Sequence, residues 1–294
     1  VRLHEALAAA RARLESADIP SRDAAFEAEL FARTILGWDR AQLITAASSP
    51  APPALEPRLS EWVERRARRE PVAYIVGTRE FWGLNFLVTP AVLIPRPETE
   101  FIVEEALHLF GRGSDGSHRA AVLSAVDARI ADIGTGSGCI AVALAHELPG
   151  SRVVATDVSD DAVRVAMENA TRHGVASRIQ FVVGSYLTGV DGQFDLIVSN
   201  PPYVRELDRP ALAADVRHEP EVALFGGPVG LRDIEGVLDT AAERLRPRGW
   251  LVMEFGYGQR DDVDALVAKR PALRVDRVRD DFQGIERTAI IERR

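Results

Sequence analysis

Apolar positions over the first seventy residues recur at helical spacing. Leu3, Leu7, Ala10 and Leu14 define one amphipathic stripe. Ser21 stands where it can cap a second helix carrying Phe26 and Leu30, and Gly37 can end it. Ser48 to Pro53 reads as a loop. Leu55, Leu59, Trp62 and Val63 then repeat as a third stripe, with Glu61/Arg65 and Glu64/Arg68 at i,i+4 spacing on its polar side. No β-pattern interrupts this stretch, so it predicts a small helical bundle.

The pattern changes at Pro71. Val72, Tyr74, Ile75, Val76, Phe81, Trp82, Phe86, Val88, Val92 and Ile94 crowd into one segment punctuated by Gly77 and Gly83, which predicts strands or a hairpin joining two domains. Pro95 and Pro97 stiffen the chain before a helix that runs from about Glu98 to Phe110, and Gly111 to Ser117 reads as a loop.

Beyond residue 128, short apolar runs alternate with helical patterns. Strands are expected at 130–133, 153–156, 179–183, 196–199 and 250–255, with helices at 139–148, 160–173, 231–245 and 259–269. Two last strands, near 273–279 and 287–292, can pair antiparallel. This alternation predicts an α/β fold, a doubly wound sheet whose ligand site lies at the carboxyl ends of its strands.

Composition narrows the class. The chain has 294 residues, 46% hydrophobic and 27% charged, which suits one or two globular domains. Cys139 is the single cysteine, so no intrachain disulfide is possible. No apolar run reaches the length of a membrane span, and the first residues lack the apolar core of a signal peptide; a cytoplasmic protein is expected. Residues 1–70 balance 11 basic against 11 acidic side chains, so the net charge of −8 falls on residues 71–294. An acidic body disfavours a nucleic-acid backbone as partner.

Two segments carry the candidate chemistry. Asp132-Ile133-Gly134-Thr135-Gly136-Ser137-Gly138 follows the first strand of the alternating region and opens a helix. Its glycines allow a tight turn and a close approach of backbone to ligand, but the spacing is neither the dinucleotide fingerprint nor a phosphate-binding P-loop. Asp157 ends the next strand, where a carboxylate can accept hydrogen bonds from ribose hydroxyls.

Ser199-Asn200-Pro201-Pro202-Tyr203 follows the apolar strand ending at Val198. Two prolines remove two donors, stiffen the loop and leave their carbonyls as fixed acceptors. The Asn200 amide oxygen and the Pro201 carbonyl can each accept one N–H of a planar NH2 group, while Tyr203 offers an aromatic face to its plane. Such a site aims the nitrogen at an electrophile.

With these residues the chain resembles the class I S-adenosylmethionine-dependent methyltransferases, and among them the HemK/PrmC family of protein-glutamine N5-methyltransferases that modify peptide chain release factors. The narrower likeness rests on Pro71, Tyr74-Ile75, Gly77, Phe81, Gly83, Phe86 and Val88 leading into Leu93-Ile94-Pro95-Arg96-Pro97-Glu98-Thr99-Glu100, and on Glu219-Pro220, Ala223-Leu224, Gly226, Gly230-Leu231, Asp281, Gly284 and Arg287. The resemblance implies a helical substrate-docking domain over 1–70, a β-hairpin linker over 71–97 and a Rossmann-like catalytic domain over 98–294 with an antiparallel C-terminal strand. It implies S-adenosylmethionine held by Asp132, Gly134, Thr135, Gly136, Ser137, Gly138, Asp157, Tyr186 and Asn200, with Asp132 facing the methionine amino group. The substrate would be the glutamine of a release factor's Gly-Gly-Gln motif, held by Asn200, Pro201, Pro202 and Tyr203. Asn200, Pro201 and Tyr203 would act in catalysis. Where the family has an Asp-aromatic pair after the third strand, this chain has Ser185-Tyr186, which keeps only the aromatic.

An amino methyltransferase acting on adenine or guanine in nucleic acid would use the same Asn-Pro-Pro-Tyr chemistry. An NAD-dependent oxidoreductase and an inactive methyltransferase-like binding module are further alternatives. The Arg65–Arg69 run reads as a solvated helix face that could also meet an acidic protein or RNA. None of the six histidines has metal-ligand spacing, so no metal site is expected. Cys139 reads as a buried core residue.

Overall fold

The computed structural model describes residues 1–111 and 127–294. The loop expected over Gly111 to Ser117 lies, past Gly111, outside the described residues. The chain divides into two units, one of residues 1–78 with 213–218, the other of residues 79–212 with 219–294.

The first unit is helical: α1 (Leu3–Glu15), α2 (Ser21–Leu36), α3 (Arg40–Thr45), α4 (Leu55–Ala67) and α5 (Val72–Val76). Leu3, Leu14, Phe31, Leu55, Leu59 and Trp62 form its core, and Phe31 meets Trp62 edge-on at 5.6 Å. The buried stripe of α2 is Ala24, Glu27, Ala28, Phe31 and Ala32. Phe26 lies off that stripe and is 64% exposed, contrary to the expected pattern, because the face carrying Ala24, Ala28 and Phe31 is the one that packs into the core. Ser21 is the first helical residue rather than the cap; its hydroxyl donates to Glu15 at 2.6 Å. Gly37 ends α2 as expected, with φ of 66°.

The expected i,i+4 pairs on α4 do not form. Arg65 pairs with Glu70 and Glu64 with Arg13. Arg66 is buried, not solvated, and bridges Glu27 and Asp215 at 2.8 Å each. The returning segment 213–218 is thereby held within this unit by an ion pair.

Val72–Val76 is a helix, not the strand its β-branched residues suggested. The N–H groups of Tyr74 and Ile75 donate to Pro71 O and start the helix, Ile75 packs into the bundle core, and Gly77, at φ of 84°, closes the turn. Burial outweighs the local β-preference over so short a run.

The hairpin β1 (Thr78–Phe81) and β2 (Leu84–Leu87) belongs to the second unit from Arg79 onward. Asn169 fixes this hairpin by accepting from Leu87 N at 2.7 Å and donating to Leu87 O at 3.0 Å. The sheet and its helices follow: α6 (Glu100–Phe110), β3 (Arg129–Ile133), α7 (Cys139–Glu147), β4 (Arg152–Asp157), α8 (Asp160–Arg172), β5 (Ile179–Val183), β6 (Phe194–Ser199), α9 (Arg232–Arg244), β7 (Leu245–Glu254), α10 (Arg260–Ala268), β8 (Leu273–Asp280) and β9 (Glu286–Arg293).

The sheet order is β5-β4-β3-β6-β7-β9-β8, parallel except for β9, which runs antiparallel to both neighbours. Successive residues serve opposite faces: Ile130 packs with α6 and α7, while Ala131 and Ile133 pack with α9 and α10. A parallel sheet covered on both faces reads as near-continuous apolar runs, as the sequence does here. The winding reverses at β3, which has β4 on one side and β6 on the other. No helix among the described residues is long and apolar enough to cross a membrane.

Candidate active site

The reversal at β3 opens a crevice at the carboxyl ends of the strands, the expected position for a ligand in such a sheet. A cavity of about 280 Å³ lies there, and its wall contains Gly134, Gly136, Asp157, Tyr186, Asn200, Pro201 and Pro202. Four consecutive parallel-strand ends thus meet at one place. A wider groove of about 1060 Å³ opens at the amino-terminal ends of the strands, among Arg129, Arg152, Arg178 and Arg246. None of the sequence-predicted site residues lies in it.

The glycine turn is built from main-chain contacts. Gly134 N and Thr135 N both donate to Thr156 O at 2.9 Å, tying the turn to the end of β4. Gly136 N donates to Asp157 Oδ2 at 2.9 Å, and Ser159 N donates to Asp157 Oδ1 at 2.9 Å. Each carboxylate oxygen keeps a lone pair for a further donor. Burial pushes the Asp157 carboxyl above its ordinary range, opposed by these backbone donors. A Cβ placed on Gly134 or Gly136 would meet nothing within 4 Å, so this face of the backbone is open to a ligand.

Asp132, Thr135, Ser137 and Gly138 stand behind that wall rather than on it. Asp132 is fully buried; its Oδ2 accepts from the Thr135 hydroxyl at 2.7 Å and from Ala141 N at 3.1 Å. Its Oδ1 has no partner, and burial pushes the carboxyl up to about 7. Asp132 therefore braces the turn and the start of α7, and does not reach the cavity. Gly138 caps α7 with φ of 79°, against Ala166 of α8. Cys139 follows it, buried, its thiol pushed up to about 12.

Tyr186 lies at the other end of the cavity with a left-handed backbone, φ of 51°, and its hydroxyl is 3.4 Å from Asp233. The ring packs against Gly236 of α9, where a side chain would collide with it.

The Asn200 loop is held differently. Asn200 Nδ2 donates to Thr99 Oγ1 at 3.0 Å, and Thr99 Oγ1 donates to Glu254 Oε2 at 2.8 Å. Tyr203 does not line the cavity; its hydroxyl donates to Glu254 Oε1 at 3.0 Å. The hydroxyl of the expected aromatic is thus held from behind by Glu254. The nearby Glu254 charge, with burial, raises the Tyr203 phenol far above its ordinary range. Gly226 and Gly230 lie directly against the Pro202 and Tyr203 carbonyls, which leaves no room for a Cβ at either position. The linker motif is anchored beside the loop: buried Glu219 accepts from Ile94 N at 3.0 Å and from Arg96 Nη2 at 2.5 Å.

Sequence reasoning named neither Thr99 nor Glu254 as a site residue. The run ending Pro97-Glu98-Thr99-Glu100 carried a signal as a motif, but nothing in the sequence ties it to the last residue of a strand 155 positions away.

Strand order, the single antiparallel strand and the cavity over the glycine turn define a class I methyltransferase. A family described as the PrmC N-terminal domain matches residues 5–77, and the methyltransferase small domain matches residues 119–222. The chain is 44% identical over 278 residues to the release factor glutamine methyltransferase of Bradyrhizobium diazoefficiens, covering 94% of this chain and 90% of that one. It is 46% identical over 249 residues to the protein of the same name from Geobacter sulfurreducens, covering 84% and 82%. The chain belongs to the release factor glutamine methyltransferase family. Among solved structures, the Thermus thermophilus 16S rRNA N2 G1207 methyltransferase, in complex with AdoMet and guanosine, shares the fold at 18% identity and a TM-score of 0.51, covering 74% of this chain and 49% of that one.

Proposed function

We propose that the cavity at the carboxyl ends of β3 to β6 binds S-adenosylmethionine and the side chain of a glutamine, and that the protein methylates the amide nitrogen of the Gly-Gly-Gln glutamine in peptide chain release factors. One observation carries this reading: Asn200, Pro201 and Pro202 share a cavity wall system with Gly134, Gly136 and Asp157. An amide-accepting loop and an adenosine-accepting turn face one volume.

The residues present fit the cofactor. Asp157 keeps acceptor capacity for two ribose hydroxyls, the open backbone at Gly134 and Gly136 admits close approach, and Tyr186 gives an aromatic surface at the far end. When bound, S-adenosylmethionine supplies a methyl group already activated by its sulfonium. The protein's own task is alignment. A glutamine amide nitrogen is a weak nucleophile because its lone pair is delocalised into the carbonyl. Asn200 Oδ1 and Pro201 O each accept one N–H, which fixes the nitrogen and favours the positive charge that develops on it. Pro202 completes the wall, and Tyr203 is held by Glu254 through its hydroxyl while its ring offers an aromatic face beside the Asn-Pro-Pro turn. Asp132, Thr135, Ser137 and Gly138 serve the cofactor by holding the turn in shape. The proton leaves the product nitrogen for water, so no dedicated base is assigned.

Incubating a release factor with this protein and S-adenosylmethionine, followed by peptide mass spectrometry, tests the reading. One added methyl on the Gly-Gly-Gln glutamine is expected. Methylated adenine or guanine in RNA with an unmodified release factor would overturn it in favour of the nucleic-acid reading, against which the acidic charge of residues 71–294 argues.

A further inference from the structure

The hydrogen bonds behind Asn200 have a direction. Glu254 is 2% exposed and Thr99 3% exposed, so neither exchanges partners with bulk water. Each Glu254 oxygen receives one hydroxyl proton, from Thr99 and from Tyr203, and these donors with the Arg287 charge oppose the burial that pushes the carboxyl above its ordinary range. Thr99 has a single hydroxyl proton, and once it is given to Glu254 only lone pairs remain for Asn200. Asn200 must then turn its NH2 end to Thr99, as it does at 3.0 Å. The carbonyl end, Oδ1, is left outside this network.

That polarity matters because the two ends of an asparagine amide are nearly the same shape and opposite in character. With Oδ1 free, the side chain accepts from a substrate N–H. With the amide flipped, it would set an N–H against the substrate's own N–H.

We propose that Thr99 and Glu254 are positioning residues that fix which end of the Asn200 amide faces the substrate, with Tyr203 holding the carboxylate from its other side. The consequence for turnover rests on the amide-methylation reading; the orientation of Asn200 does not. The proposal gives the Ile94–Glu100 motif a task within the second unit: it delivers Thr99 to the place where the polarity of Asn200 is set.

Thr99→Val keeps the shape and removes the hydroxyl, while Thr99→Ser keeps the hydroxyl. The valine variant should lower kcat on release factor on the order of 10- to 100-fold, since a small loss of alignment is costly in transfer reactions. Its S-adenosylmethionine affinity by calorimetry should stay within about twofold, and the serine variant should recover kcat to within about threefold of wild type. In an Asn200→Ala background, Thr99→Val should cost nothing further, because its target is gone. Independently of any substrate, nitrogen-15 spectra should show one Asn200 side-chain amide proton protected from exchange in wild type and in Thr99→Ser, and exposed in Thr99→Val. The Asn200→Ala spectrum identifies the signal.

Three results overturn the proposal: unchanged Asn200 amide exchange in Thr99→Val, an additive loss in the Asn200→Ala background, or a fall in kcat matched by an equal loss of cofactor affinity. A wild-type protein that leaves release factor unmodified would sink the functional reading alone, and the exchange measurement would still decide the relay.

Discussion

The two walls of the cavity are supported in different ways. The glycine turn is held by neighbours in sequence or by the adjoining strand: Thr156 O, Asp157 and Asp132 lie within about one βα unit of it. The Asn200 loop is held by side chains drawn from far along the chain, with Thr99 and Glu254 lying 101 residues before it and 51 residues beyond Tyr203. A wall made of backbone can shape a pocket for a ligand of fixed form, but it has no way to choose between the two ends of a side-chain amide. A directed side-chain network does, so the chemistry falls on the wall with the long-range support.

The largest effect expected from this contrast is at Asn200. Asn200→Ala should lower turnover on the order of 10³-fold, the scale for losing a preorganised partner of developing charge. Cofactor affinity by calorimetry should change little, because the glycine wall is untouched. If affinity and turnover fell together, the walls would not be separable. Gly138→Ala attacks the other wall. It puts a side chain at φ of 79° with its Cβ 3.0 Å from Ala166 Cβ, and neither backbone can yield cheaply. A loss of about 2–3 kcal/mol in urea unfolding is expected, from overpacking plus the left-handed backbone.

Asp157→Ala sharpens the division further. It removes the carboxylate that ties Gly136 to the end of β4 and is proposed to receive the ribose. S-adenosylmethionine affinity should weaken about 10- to 100-fold, the worth of one or two charge-assisted hydrogen bonds, while kcat at saturating cofactor stays near wild type. Unchanged affinity would remove Asp157 from the ribose role.

The same contrast explains what the sequence disclosed. The alternating strands and helices beyond residue 128 were legible because a buried parallel sheet writes itself as apolar runs broken by glycine and polar turns; Ile179–Val183 falls where the pattern put it. The glycine turn and Asp157 were legible because their geometry is local. The helix at Val72–Val76 was not, because burial of Tyr74 and Ile75 in the bundle decided it against local preference. The fate of the Arg65–Arg69 run was hidden for a similar reason, since the partners of Arg66, Glu27 and Asp215, stand 39 and 149 residues away. Tyr203 was read as a stacking surface because an aromatic beside Asn-Pro-Pro invites it. Only the third dimension reveals that Glu254 holds its hydroxyl.

Asp132 gives the smallest and most discriminating test, because it asks what the local wall costs. Its carboxyl is buried with Oδ1 unpartnered and is pushed up to about 7, whereas in the unfolded chain it ionises near the ordinary 3.8. Between those values the native protein holds a proton that the unfolded chain has released. Raising the pH through that window therefore favours unfolding, and the penalty levels off above about 7. Asp132→Asn keeps an oxygen for Thr135 and Ala141 and does not titrate. The difference in unfolding free energy between variant and wild type should grow in the variant's favour as pH rises from 5 to 7, by at most about 1.4 kcal/mol per pH unit. Glu254 is common to both proteins and cancels in the difference, and the Asp157 charge, which helps to raise Asp132, belongs to the effect being measured. Parallel curves would mean that Asp132 stays charged in the native turn and is compensated by a partner, so the glycine wall would also depend on support beyond its own backbone.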